Sequence, residues 1–292
     1  MSARCLFGGS MVALVTPFHD GAIDYVSWQR FVDWQIDSGT QGIVVCGTTG
    51  EASTLTFDEH CSVMSRMVEM VRHRVPVVAG TGSNSTAEAI SLSQSAERVG
   101  IDGILCVTPY YNKPTPRGLY EHFKAIRQSV SLPIILYNVP SRTGISFDVD
   151  TISRIHELGG IDSIKEASGN LGFCQEILAR GICILSGEDG LTFPLMALGA
   201  SGVISVVANF APVLMRELCD GCLCNDIVRA RTIHRTIHVL AKAAFAVTNP
   251  IPAKAAVSLL GFCQDEYRLP LTPLERNQKD MLLSVMQQCG LV

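Results

Sequence analysis

The stretch IDSIKEASG, residues 161–169, sets Lys165 among Ile161, Ile164 and Ala167 and closes on a Ser168-Gly169 loop signal. Such a run reads as a buried strand, so the lysine is either a side chain snorkelling from a strand end or a reactive amine. Facing inward from a central strand, an ammonium has no water, and burial lowers the usual pKa of about 10.4 because it disfavours the charged form. A neutral amine attacks carbonyls, and the imine it forms draws electrons from the neighbouring carbon. That chemistry needs several proton transfers. Tyr137 in YNVPSRTG, Tyr111 in TPYYN and the Thr48 hydroxyl in GTTGE are groups that could carry them, with ordinary packing as the other use of both phenols. Thr48, Thr49 and Gly50 either make a simple turn or present successive donors to a carboxylate. Arg142, in a loop beyond Pro140, is either solvated or a two-pronged clamp for a second carboxylate.

These groups must be brought together by the elements that carry them. Apolar, β-rich runs at 11–17, 42–47, 75–82, 103–109, 132–140, 161–168, 183–189 and 202–209 predict eight strands. Between them lie helical patterns, such as Met64, Met67, Val68 and Val71 on one face, and two spell capping boxes, Thr56 with Glu59 and Ser85 with Glu88. Near-continuous apolar strands separated by single helices imply a parallel sheet covered on its outer face. Eight such units predict an α/β fold of the closed (β/α)₈ TIM-barrel type. The candidate groups then fall at the carboxyl ends of strands two, four, five and six, where such barrels build their sites. The pattern changes to helices alone after the eighth unit, at about 225–246, 252–261 and 273–289, the last opened by Thr272-Pro-Leu-Glu275. The domain reading is therefore a barrel with the catalytic site over 1–223 and a C-terminal helical extension over 224–292, the latter without an obvious catalytic motif.

Composition narrows the function. A net charge of −4 gives no basis for neutralising phosphates, so no nucleic-acid partner is expected. The uncharged segment Leu191–Met215 imitates a membrane span, but Pro194, Gly199, Gly202, Asn209 and Pro212 interrupt it. The better reading is a buried strand between two helices, with no membrane association. The opening MSARCLFGGSMVALVTPF lacks the unbroken apolar core of a secretory signal, and a cytoplasmic protein is expected. Eleven scattered cysteines fit small core residues kept reduced. Cys219, Cys222, His234 and His238 come one residue short of a common zinc spacing, yet they fall on helical patterns without the strands of a small finger, and no metal is predicted. AGTGS lacks the lysine of a phosphate loop.

GTTGE, TPYYN, YNVPSRTG, IKEASGN and NPIP, in this order and on these units, resemble the dihydrodipicolinate synthases, also called 4-hydroxy-tetrahydrodipicolinate synthases, over essentially the whole chain. Lyases of the same pyruvate-dependent aldolase superfamily, acting on N-acetylneuraminate or 2-keto-3-deoxy sugar acids, share the imine lysine and the strand-five tyrosine. SRTG with Arg142 and the doubled Tyr110-Tyr111 favour the synthases. The resemblance implies that Lys165 forms a Schiff base with pyruvate and that the enamine attacks L-aspartate 4-semialdehyde, with no cofactor. It further implies a relay of Tyr137, Thr48 and Tyr111, the last reaching in from a neighbouring subunit of a homotetramer built as a dimer of dimers. Thr49 would hold the pyruvate carboxylate, backbone groups of Gly187 and Ile204 would line the pocket, and Arg142 would take the semialdehyde carboxylate. His60, Asn84, Glu88 and Tyr110 match a regulatory lysine site. Phe57 stands where lysine-sensitive members often carry histidine, and Ala52 where serine is common, which predicts weak or absent feedback.

Overall fold

Every one of the eight apolar runs forms a strand, and the strands lie in parallel register around a closed barrel. They are β1 (Gly9–Ala13), β2 (Gly42–Val45), β3 (Val77–Gly80), β4 (Gly103–Val107), β5 (Ile134–Asn138), β6 (Ile161–Glu166), β7 (Cys183–Ser186) and β8 (Gly202–Ser205), in a computed structural model that describes residues 5–292. Closure comes from β1, which pairs with β8 on one side and β2 on the other. Several strands are shorter than their apolar runs for a local reason. Pro76 and Pro133, with no N–H to give the ladder, precede β3 and β5, and Pro140 opens a short helical turn after β5.

The period of two along each strand divides the apolar residues into two sets. Met11, Ala13, Val44, Val78, Leu105, Ile135, Leu185 and Ile204 pack inside the barrel. Their chain neighbours, among them Val12, Ile43, Ile134, Leu136 and Ile164, face the surrounding helices. Those helices are α1 (Tyr25–Asp37), α2 (Phe57–Val71), α3 (Thr86–Val99), α4 (Pro116–Ser129), α5 (Val149–His156), α6 (Leu171–Ala179), α7 (Thr192–Leu198) and α8 (Pro212–Leu223). The Thr56–Glu59 capping box forms in full at the start of α2. At α3 only half of the expected box forms: Ser85 caps the Glu88 amide, while the Glu88 carboxylate is drawn to the Ser83 hydroxyl.

Leu191–Met215 resolves into α7, β8 and the start of α8, and among the described residues no helix is long and apolar enough to cross a membrane. Three helices follow, α9 (Ile227–Ala244), α10 (Ile251–Leu259) and α11 (Arg276–Gln288). The last begins later than the Thr-Pro-Leu-Glu spelling suggests, because Glu275 takes the N-cap position, its N–H donating to Gln278 Oε1 at 3.0 Å. The cysteine reading needs one correction. Cys5 and Cys183 form a disulfide that ties the segment before β1 to the start of β7. A separation of 178 residues hides that proximity in the linear chain. The other nine cysteines are free.

Candidate active site

The strand register decides where the lysine points. On β5 and β6, Tyr137 is the direct partner of Lys165, and Lys165 is in turn the partner of Leu185 on β7. Ile164, one step before, belongs to the outward set, so Lys165 must project into the barrel. Its amine lies 4.4 Å from the centre of the Tyr137 ring, and both side chains are buried. Burial draws the Lys165 pKa down to about 8, against the opposing pull of the Asp189 and Glu188 carboxylates. Burial also raises the Tyr137 phenol to about 12, only partly offset by the nearby Arg142 charge. A larger share of this amine is thus neutral near physiological pH than in an ordinary lysine, and the phenol keeps its proton.

Lys165 and Tyr137 share the wall of a cavity of about 530 Å³ at the carboxyl end of the barrel. Thr48, Thr49, Arg142 and Gly187 line it too, as do His60, Glu88 and Tyr110. At Gly187 the backbone comes within a hydrogen bond of β6, its N–H donating to Glu166 O at 2.7 Å. A Cβ there would sit 2.7 Å from Ala167 Cβ, so only glycine fits without a shift. The His60 Nε2–H donates to Gly80 O at 2.8 Å, and burial lowers its pKa.

Three expected residues lie elsewhere. Ile204 is fully buried in the inner barrel layer below the cavity, and Val206, two residues on, lines it instead. Asn84 accepts at its carbonyl from Asn112 Nδ2 at 2.9 Å and is not part of the wall. Tyr111 does not line the cavity and is 90% exposed. It has φ +71° at the centre of a turn closed by the Asn112 N–H donating to Tyr110 O at 2.9 Å, a strained three-residue conformation for a side chain of this size.

Other residues of the site escaped the sequence reading. Glu188 lines the cavity, and burial, followed by the neighbouring Asp189 charge, raises its pKa. Asp189 is buried beneath, bonded to the Ser205 hydroxyl and to the Val206 and Val207 amides at 3.1 and 3.3 Å. Asn249, from the NPIP motif of the helical extension, also lines the cavity, donates from Nδ2 to Thr49 Oγ1 at 3.0 Å and accepts at its carbonyl from Arg142 at 3.2 Å. The signals were the SGED strand end and NPIP itself. Neither motif says in the linear chain that it reaches the Thr48–Thr49–Gly50 turn. Among the described residues no group of three or more His, Cys, Asp or Glu side chains gathers as a metal site, and His234 packs instead on Phe193 with ring centres 5.4 Å apart.

The shifted amine has a kinetic consequence. If Lys165 must be neutral to attack, kcat/KM for a carbonyl substrate should fall about tenfold per pH unit below 8 and level off above it. Because the Glu188 charge raises this pKa, Glu188→Gln should move the limb to lower pH, which a pH–rate profile of both proteins would reveal.

Fold and cavity together define a (β/α)₈ barrel with an amine-centred site at the carboxyl ends of its strands. Residues 6–289 match the family model of the Dihydrodipicolinate synthetase family, and the chain belongs to that family. It is 50% identical over 290 residues to the 4-hydroxy-tetrahydrodipicolinate synthase of Pelobacter propionicus, covering 98% of this chain and all of the relative. The crystal structure of dihydrodipicolinate synthase from Aquifex aeolicus superimposes with a TM-score of 0.96 at 47% identity, over 98% of this chain and 99% of that one. The pyruvate complex of the Acinetobacter baumannii enzyme gives a TM-score of 0.95 at 44% identity, over 98% and 99%.

Proposed function

We propose that this protein condenses pyruvate with L-aspartate 4-semialdehyde, giving 4-hydroxy-tetrahydrodipicolinate for lysine and diaminopimelate biosynthesis. The observation that carries the mechanism is the register pair Tyr137–Lys165, an amine that burial makes easier to deprotonate and a protonated phenol facing one cavity. The Lys165 amine adds to the pyruvate ketone, and loss of water leaves the imine. Loss of a methyl proton then gives the enamine, whose carbon attacks the aldehyde of the second substrate. That substrate's own amine adds to the imine carbon, closes the ring and expels Lys165. Tyr137 serves as donor and acceptor in these steps, with Thr48 beside it. Thr49 and the amides of its turn hold the pyruvate carboxylate, and Arg142, at the cavity wall, receives the carboxylate of the semialdehyde.

The barrel over 1–223 and the helical extension over 224–292 are the two units of this reading. Tyr111 completes the relay of a neighbouring chain in a homotetramer arranged as a dimer of dimers. Its exposure and its strained backbone suit a side chain held out for a partner. Mixing a Tyr111→Ala protein with a Lys165→Met protein under subunit exchange should therefore restore part of the activity that each lacks alone. One hybrid site then has an intact lysine and a tyrosine donated by the other chain. The enzyme acts in the cytoplasm. Lysine feedback is weak or absent, as Phe57 and Ala52 both stand at the cavity wall near His60 and Glu88.

The direct test is turnover. Pyruvate with L-aspartate 4-semialdehyde should be consumed together and N-acetylneuraminate left intact; cleavage of the sugar acid alone would assign the protein to the lyases.

A further inference from the structure

The turn that faces the pyruvate carboxylate is anchored from an unexpected direction. Glu51 follows Thr48, Thr49 and Gly50 directly, adopts φ +54° although it is not glycine, and sends its carboxylate into the protein interior. There it meets Lys254 of α10 at 2.6 Å, and both side chains are 0% exposed. The second carboxylate oxygen accepts from the Arg268 N–H at 3.3 Å, and the lysine amine rests 4.0 Å from the centre of the Phe18 ring. Two residues back along the turn, Thr49 Oγ1 accepts from Asn249, so the extension holds this short loop at two points, from residues 249 and 254. The carbonyl of Gly50, between them, accepts from the Thr16 hydroxyl at 2.7 Å.

We propose that the buried Glu51–Lys254 ion pair, together with Asn249, positions the Thr48–Thr49–Gly50 turn for the substrate carboxylate, so that the C-terminal extension is a working part of the pyruvate site. A buried ion pair loses so much solvation that an apolar pair of similar volume is often as stable or more so. Stability alone therefore gives little reason for these two charges. What the pair supplies and an apolar pair lacks is direction: the carboxylate can satisfy the ammonium only from one place, and this fixes the residue after the turn. Asn249 adds a second direction. By donating to Thr49 Oγ1 it occupies a lone pair there and leaves the hydroxyl proton free to turn toward the cavity. The same asparagine accepts at its carbonyl from Arg142, which links the two carboxylate-binding groups through one residue.

The inference rests on assigning this turn to pyruvate, and the test separates the two claims. Glu51→Leu combined with Lys254→Met replaces the ion pair by apolar residues and should melt at or above the wild-type temperature. Its KM for pyruvate should rise about tenfold or more, while KM for the semialdehyde stays within about twofold and borohydride still traps pyruvate on Lys165 at saturation. A well-folded double variant with wild-type KM for pyruvate would overturn the positioning role. If that variant does not fold, Lys254→Arg, which keeps the charge but displaces it, should still raise the pyruvate KM selectively, and an unchanged value there has the same adverse meaning. Failure of the functional reading is a distinct result, since wild-type protein would then not consume pyruvate and semialdehyde at all.

Discussion

Lys165→Met should remove turnover by at least about 10³-fold while leaving a more stable protein. The loss follows from the mechanism, since no other described side chain lining the cavity is a lysine, and removing a covalent nucleophile is among the most damaging changes a site can suffer. The gain in stability follows from burial. In the folded chain the amine holds its proton less tightly than an ordinary lysine, about 8 against 10.5. Below pH 8 the group is charged in both folded and unfolded chains, so the full cost of burying the charge opposes folding. Between 8 and 10.5 that cost fades, because the folded amine has already given up its proton. The variant should therefore melt above wild type at pH 7, and the gap should shrink as pH approaches 10.5. Parallel thermal melts at the two pH values measure this, and a variant that melts lower at pH 7 would mean that the lysine has a stabilising partner instead.

Tyr137→Phe should lower kcat by about 10²- to 10⁴-fold, the usual worth of a positioned proton donor. The ring remains to fill the inner barrel layer, where Tyr137 packs beside Ile135 and Leu185, so the fold and the shape of the cavity persist. The pyruvate adduct should still form on Lys165, more slowly, and accumulate because its later proton transfers are impaired. Steady-state kinetics with single-turnover trapping would separate these effects. Wild-type kcat in this variant would pass the proton-transfer role to another group, such as Thr48 on the same cavity wall.

Much of this could be read along the chain. The strands of a parallel barrel are continuous apolar runs, and its chemistry is confined to their carboxyl ends, so a lysine inside IDSIKEASG and a tyrosine inside LPIILYNVP announce themselves. The period of two then predicts that both face inward, which the register of β5 and β6 bears out. What stayed hidden depends on contacts between distant segments. Asn249 meets Thr49 across 200 residues and Lys254 meets Glu51 across 203, and no local pattern marks either encounter. The Cys5–Cys183 bridge is hidden for the same reason. Tyr111 presents a different case. Its residue type and motif are conspicuous, but within the chain its side chain is exposed, and no contact within the chain assigns it a role.

The extension accordingly stands closer to the chemistry than its plain helical sequence suggests. It brings Asn249 to the cavity wall and a buried ammonium beneath the Thr48–Thr49–Gly50 turn, while the barrel supplies the amine and the phenol.

The central claim is the imine on Lys165. Borohydride reduction of the wild-type protein in the presence of pyruvate, followed by mass mapping of its peptides, tests it most directly. A stable pyruvate adduct should appear on the peptide carrying Lys165 and be absent from the peptide carrying Lys254, whose amine is committed to Glu51. No adduct, or an adduct on another lysine, would contradict the account.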